Sequence, residues 1–293
     1  MLVVGAHEND DNGNSSGSAY VFDLSTGQQL FKLLPDDGAA NDHFGLAVAI
    51  EGNIIAVSAH LHAEQGVRSG AVYIFDATTG LQAAELLSDD RQADDRFGSR
   101  LAIDNEKLVV SAPGQDANGD SSGAAYLFDL QTNQQVFKPL QFEGAPNDLF
   151  GTSVDINGNL IVIGSIFDNT SAGVNTGSVS LFDATSGAPL TKLQPADGHT
   201  LQNFGTWVAL DNNQIVVGAP RDGETANEAG AGYIYNGPFP CNVYDLAEPF
   251  SELNFFDIVA FINGRPDLNG DDLFNFFDVS IYISGFQVGC PSP

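Results

Sequence analysis

The chain has 293 residues, of which 43% are hydrophobic and only 16% charged, with 32 glycines and 13 prolines; this is the make-up of a turn-rich, core-forming chain and excludes a disordered one. Its 38 acidic residues against 10 basic ones give a net charge of −28. Such a field repels phosphate backbones and anionic membranes, so nucleic acid and membrane insertion are excluded and cations are favoured.

Met1-Leu2-Val3-Val4-Gly5-Ala6 is a short apolar run ending in Gly-Ala, and the same run returns at 54–59, 108–113, 160–165 and 215–220. Apolar runs without alternation suit strands buried on both faces. A Phe-Gly pair precedes all but the first of them, as Phe44-Gly45, Phe97-Gly98, Phe150-Gly151 and Phe204-Gly205, spaced by 53, 53 and 54 residues. Chance does not hold that register. The fullest copy spans 97–140. Its expected first strand begins at Phe97, with Leu101 and Ile103 to one side. Asp104-Asn105-Glu106-Lys107 then makes a tight turn, 108–113 a second strand, and Ala124-Ala125-Tyr126-Leu127-Phe128 a third. Asn133 stands where a turn needs positive φ, and 134–140 returns as a fourth strand. A four-stranded unit repeating near every 50 residues predicts radial repetition, each sheet covering its faces against its neighbours. The chain starts on a second strand and its last copy, 204–236, stops after a third. The expectation is therefore an all-β propeller of about five visible four-stranded blades, either closed with the first blade lacking its first strand or left as an incomplete ring.

These residues resemble the FG-GAP repeats of bacterial surface proteins and integrin-type propellers over residues 1–237. The Phe-Gly is present four times and the Gly-Ala-Pro element survives at Gly218-Ala219-Pro220. Integrin-type copies carry a long Asp-rich calcium loop between the first two strands. Here that loop has shrunk to Glu51-Gly52-Asn53 or Asp211-Asn212-Asn213, too short to supply six or more oxygens. The loops after the second strand, such as 7–14 and 115–120, do place Asp and Asn oxygens at alternate positions, which suits either calcium or ordinary turns. The turns Asp23 to Gly27, Asp76 to Gly80 and Asp183 to Gly187 also resemble quinoprotein-type repeats. Asp and Thr side chains closing onto the turn backbone explain them without a cofactor, and the single tryptophan, Trp207, falls on a first strand rather than closing a repeat.

No catalytic set is legible. The propeller holds no cysteine, and neither a Gly-x-Ser-x-Gly elbow nor a His-Glu-x-x-His pair occurs. His60 and His62, two apart, could share one side of an extended segment as the start of a metal site, but no third ligand is evident. The five histidines, His7, His43, His60, His62 and His199, read as scattered loop and strand-end residues.

Around 236–240 the repeat ends. Beyond it the segment 238–293 is expected to be a second domain, in which both cysteines, Cys241 and Cys290, bracket 50 residues. Cysteines placed only at the two ends of a module read as a disulfide, worth about 4 kcal/mol on the chain-entropy model and implying an oxidising compartment; two buried thiols are the alternative. Inside lie two related halves. The second places oxygens at loop positions 1, 3, 5, 9 and 12 as Asp267, Asn269, Asp271, Asn275 and Asp278, with the Leu273 carbonyl at position 7, the EF-hand spacing for Ca²⁺. Asp272 stands at position 6 where glycine is usual, and the first half keeps only Glu248, Asn254 and Asp257 of its ligands. With its Asp at position 12 and paired loops, the segment resembles a type I dockerin-like module with short α-helices. That resemblance implies calcium-dependent attachment to a cohesin-like or cell-surface protein through Ile258, Val259, Ile262, Val279, Ser280 and Ile283. The expected function is a non-enzymatic, extracellular binding and scaffold protein, although no signal peptide is visible in this chain. The competing class is the accessory propeller of a secreted hydrolase or quinoprotein-like oxidoreductase whose catalytic part lies upstream of Met1.

Overall fold

Strands form here where short β-branched and aromatic runs are cut by Asp, Asn and Gly turns. The computed structural model describes residues 1–63, 66–141, 143–211, 214–222 and 230–236, so the whole segment 238–293 lies outside the described residues. Two compact units divide the chain: Met1–Asn212 with Val216–Tyr233, and Asn213–Ile215 with Ile234–Pro293. Of the second only 214–215 and 234–236 are described.

The described strands make five antiparallel sheets. Sheet 1 holds β1 (Leu2–Ala6), β2 (Ser18–Phe22) and β3 (Gln29–Leu33); sheet 2 holds β4 (Phe44–Glu51), β5 (Ile54–Ala59), β6 (Ala71–Asp76) and β7 (Gln82–Leu86). Sheet 3 holds β8 (Leu101–Asp104), β9 (Lys107–Ala112), β10 (Ala124–Asp129) and β11 (Gln134–Phe137). Sheet 4 is β12 (Phe150–Asn157), β13 (Leu160–Ser165), β14 (Ser178–Asp183) and β15 (Pro189–Leu193), and sheet 5 is β16 (Trp207–Asp211), β17 (Gln214–Ala219) and β18 (Ala231–Asn236). Within each sheet the strands follow chain order, so every connection is a simple reversal.

The core lies between successive sheets. Ile55 and Val57 of β5 pack with Val3 and Val21 of sheet 1, whereas Ala56 between them packs with Phe97, Leu108 and Val110 of sheet 3. A strand buried on both faces has no polar side to alternate, which is why these runs read as continuously apolar. Each Phe of the Phe-Gly pairs is fully buried in such a seam, edge-on to aromatics of the third strand: Phe97 lies 5.4 Å from Tyr126 and 5.8 Å from Phe128 between ring centroids. The seam is also stitched by backbone. The amides of Phe44, Phe97, Phe150 and Phe204 donate to the carbonyls of Ser16, Ser69, Ser122 and Thr176 in the preceding sheet, at 2.9, 3.0, 3.0 and 2.8 Å.

The outer turns follow the expected chemistry. Asp76 Oδ1 accepts the amides of Thr78 and Thr79, and Asp183 Oδ1 those of Thr185 and Ser186. Gly80 and Gly187 close these turns at φ +71 and +73, and Asn133 takes the same place at φ +56.

Two boundaries differ from expectation. In sheet 3 the first strand starts at Leu101, not Phe97, because the amides of Gly98 and Ser99 both donate to the Ser111 carbonyl, which spends one partner on two donors. Sheets 2 and 4 bulge at the same place without losing the pairing. The fourth strand ends at Phe137 rather than Leu140, since Pro139 has no N–H to give a ladder; its carbonyl accepts from Ala125 instead.

Candidate functional site

The loops between second and third strands use their polar side chains first on themselves. Asp10 accepts the amide of Ser15 and Asp116 that of Ser121, both at 2.7 Å, while Asn9 and Gln115 each accept the amide two residues on. The ordinary turn reading of these residues accounts for their placement.

The histidines do lie in loops and at strand ends, but three of the five are not scattered. His7, His43 and His60 come from three different strand ends and gather in one row. The His7 and His43 rings stack at 5.6 Å between centroids, and His60 meets His43 edge-on at 5.7 Å. His60 and His62 do not share a side. Both sit in the turn after β5, where the chain reverses, and His62 faces away to a separate polar group, its Nδ1 3.1 Å from the buried Asp42 carboxylate. Burial holds the His60 imidazole neutral, lowering its pKa to about 4, with the nearby His43 and then Arg96 adding to the effect.

Next to His60 opens a cleft of about 550 Å³, lined by His60, Arg68, Asp94, Arg96 and Arg100, with Leu149 and Ile166 among its apolar lining. Its arginines come from the loop before β6 and the segment that opens sheet 3. The Arg68 Nε donates to Asp94 at 2.6 Å, and an Arg100 nitrogen donates to the Ser99 carbonyl at 2.7 Å. Arg96 forms no side-chain hydrogen bond or ion pair among the described residues. Three guanidiniums against one carboxylate leave the cleft cationic in a chain whose net charge is −28. An anion, preferably a planar oxyanion matched by the guanidinium fork, is the ligand such a lining can hold. Arg68, Asp94 and Arg96 have positive φ, but Asn41 and His43, Asn147 and Leu149, and Leu201 and Asn203 repeat the Asp94 and Arg96 conformations in the other sheets. That strain belongs to the repeated joint and not to the cleft.

Sequence reasoning missed the arginines. The available signal was their distribution: of six in the chain, four fall between 68 and 100. The residues predicted for metal, Asp267, Asn269, Asp271, Leu273, Asn275 and Asp278, lie outside the described residues, as do Cys241, Cys290 and the predicted partner face at Ile258, Val259, Ile262, Val279, Ser280 and Ile283.

Comparison with curated proteins finds none that matches the chain. The family model described as FG-GAP repeat matches five times, at residues 1–22, 28–75, 81–128, 141–182 and 190–235. The matches at 28–75, 81–128 and 190–235 each begin on the outer strand of one sheet and end on the third strand of the next, so the family's repeat unit straddles the seam that Phe-Gly builds. With those matches spread over well more than half of its residues, the chain belongs to the FG-GAP repeat family.

Proposed function

We propose that this is an extracellular, non-enzymatic binding protein whose FG-GAP propeller, residues 1–237, engages an anionic ligand in the arginine-lined cleft. The observation that carries the reading is the convergence of Arg68, Arg96 and Arg100 on one cavity in a strongly acidic chain. Such a field repels anions from most of the surface, and against it this cleft gathers cationic groups that a carboxylate can pair with. The lining holds a ligand better than it transforms one: the Ser99 hydroxyl is committed to the Arg96 carbonyl at 2.7 Å, and no base within the lining addresses it.

The test is titration of the full chain with a short uronate oligosaccharide and with its uncharged counterpart. Saturable binding of the charged form alone is expected, lost in Arg96→Glu and Arg100→Glu and kept in Arg221→Glu, which lies outside the cleft. Equal binding by all three variants sinks the reading.

The second half of the proposal concerns residues 238–293. The oxygens of Asp267, Asn269, Asp271, Asn275 and Asp278, with the Leu273 carbonyl, hold one Ca²⁺ in a dockerin-like module closed by a Cys241–Cys290 bond. The helical faces around Ile258, Val259, Ile262, Val279, Ser280 and Ile283 then dock a cohesin-like partner. The EF-hand spacing of the sequence supports this part.

A further inference from the structure

A lysine–aspartate pair recurs at the outer edge of sheets 1, 3 and 4, and in sheet 2 its chemistry is inverted. In sheet 3 the Lys138 ammonium donates to Asp90 at 2.6 Å and lies over the Tyr126 ring, while the Tyr126 hydroxyl donates to the same Asp90 at 2.9 Å. In sheet 1 Lys32 pairs with Asp11 beside Tyr20, and in sheet 4 Lys192 pairs with Asp168 at 2.7 Å. A lysine on the outer strand, or just past it, thus neutralises an aspartate, which comes from the loop before the first strand in sheet 3 (Asp90) and from the loop ahead of the third-position strand in sheets 1 and 4 (Asp11 and Asp168).

The corresponding positions of sheet 2 lie 53 residues before those of sheet 3. Asp37 stands for Asp90, Tyr73 for Tyr126 and Asp42 for Asp95. Two positions change together: Glu85 replaces the lysine, and His62 replaces Gln115. A carboxylate therefore sits where the sister sheets keep an ammonium, facing Tyr73 across the ladder.

The result is a donor set. One ligand atom each from Asp37, His62 and Glu85 lie within 4.8 Å of one another. His62 is 5% exposed, and its Nε2 has no hydrogen-bond partner, with the nearest Asp37 oxygen at 3.8 Å. Its other nitrogen is fixed by Asp42 at 3.1 Å, which is 3% exposed, and its ring packs edge-on to Tyr73 at 6.2 Å. An imidazole pinned by a buried carboxylate, with its free nitrogen turned toward two further carboxylates, is the arrangement by which proteins orient a metal-binding histidine.

We propose that Asp37, His62 and Glu85 bind one divalent transition-metal ion, zinc above all, in place of the lysine ammonium that occupies the sister sheets. One nitrogen and two carboxylate donors favour zinc over calcium or magnesium, which take oxygen. Closing the set to metal–ligand distances of about 2.0–2.2 Å requires its members to draw together by about 1–2 Å. Asp37, on the exposed loop between β3 and β4, has the freedom to supply that movement while His62 stays fixed. Water completes the coordination, and Asp42 acts as a positioning residue.

The test strips the full chain with chelator and titrates it with zinc chloride, reading stoichiometry by calorimetry. The variant Glu85→Lys installs the residue that Lys32, Lys138 and Lys192 provide in the folded sister sheets, so folding is preserved by design. The wild-type chain is expected to take up one zinc ion more than Glu85→Lys, and Asp42→Asn to weaken that ion by about 10- to 100-fold. Cobalt substitution should give a visible d–d band in the wild type that Glu85→Lys lacks. A wild-type chain that takes up no zinc, or a Glu85→Lys chain that takes up as much and as tightly, overturns the proposal.

Discussion

Gly123 lies so close to the backbone of Phe150 that a Cβ on it would sit 2.1 Å from the Phe150 carbonyl oxygen, and its φ is +87. Gly17, Gly70 and Gly177 meet Phe44, Phe97 and Phe204 in the same way. The family's phenylalanine is therefore half of a joint. Its ring fills the seam while its backbone bonds to the residue before one of these glycines, and only glycine lets the two chains approach.

Gly123→Ala should cost more than about 3 kcal/mol, because backbone must move and a strained φ must be kept. Gly158→Ala is the control: φ there is +57 but nothing lies within 4 Å, so only the conformational cost of about 1–2 kcal/mol applies. Denaturant unfolding of both variants checks the difference, and equal losses would mean that the contact contributes nothing.

Phe97→Ala should lose about 3–5 kcal/mol, as for other fully buried aromatic truncations. Trp207, by contrast, is 61% exposed, and Trp207→Ala should change stability by less than about 0.5 kcal/mol. Circular dichroism melts, which do not depend on the tryptophan, provide the comparison.

The seams were legible because each needs one fixed residue pair at one fixed spacing. The Phe-Gly register, the Asp-closed turns and the positive φ at Asn133 all follow from local demands that repeat. The histidine row and the cleft were not legible, since His7, His43 and His60 belong to different strand ends and meet only through the stacking of sheets 1 and 2. The His62 group was half legible. Setting sheet 2 against sheet 3 at the 53-residue spacing exposes the exchange of lysine for Glu85 and glutamine for His62, but only the folded edge shows that Asp37 joins them. The strand ends at Leu101 and Phe137 moved for reasons that no periodicity carries, a shared carbonyl and a proline.

In the calcium loop proposed for the C-terminal segment, Asp267, Asp271 and Asp278 would bring three carboxylates together, and their repulsion would oppose closure until a cation binds. Calcium at a hundredfold excess over Kd should add about 2.7 kcal/mol to the folded form of that module. Asp267→Ala should abolish the gain. Calorimetry of the full chain with calcium and with chelator checks it, and melting profiles that coincide would leave the loop without a metal role.

The last expectation concerns acid. Asp95 is 2% exposed, and burial pushes its carboxyl up to about 6 even though the Gln92 amide donates to it at 2.6 Å. An unfolded aspartate titrates near 3.9, so between about pH 4 and pH 6 the folded chain holds a proton that the unfolded chain has released. Stability therefore falls as pH rises through that window, by about 1.4 kcal/mol per unit and about 3 kcal/mol in all. Burial raises Asp148, the matching residue of sheet 4, in the same direction. Asp95→Asn removes the charge and keeps an oxygen for the Gln92 amide. The variant should match or trail the parent at pH 4 and exceed it at pH 7.5, in urea unfolding at both values. A difference between parent and variant that is the same at both pH values would mean that Asp95 is solvated in the folded state, and the buried turn before Phe97 would then have to be wetter than its 2% exposure implies.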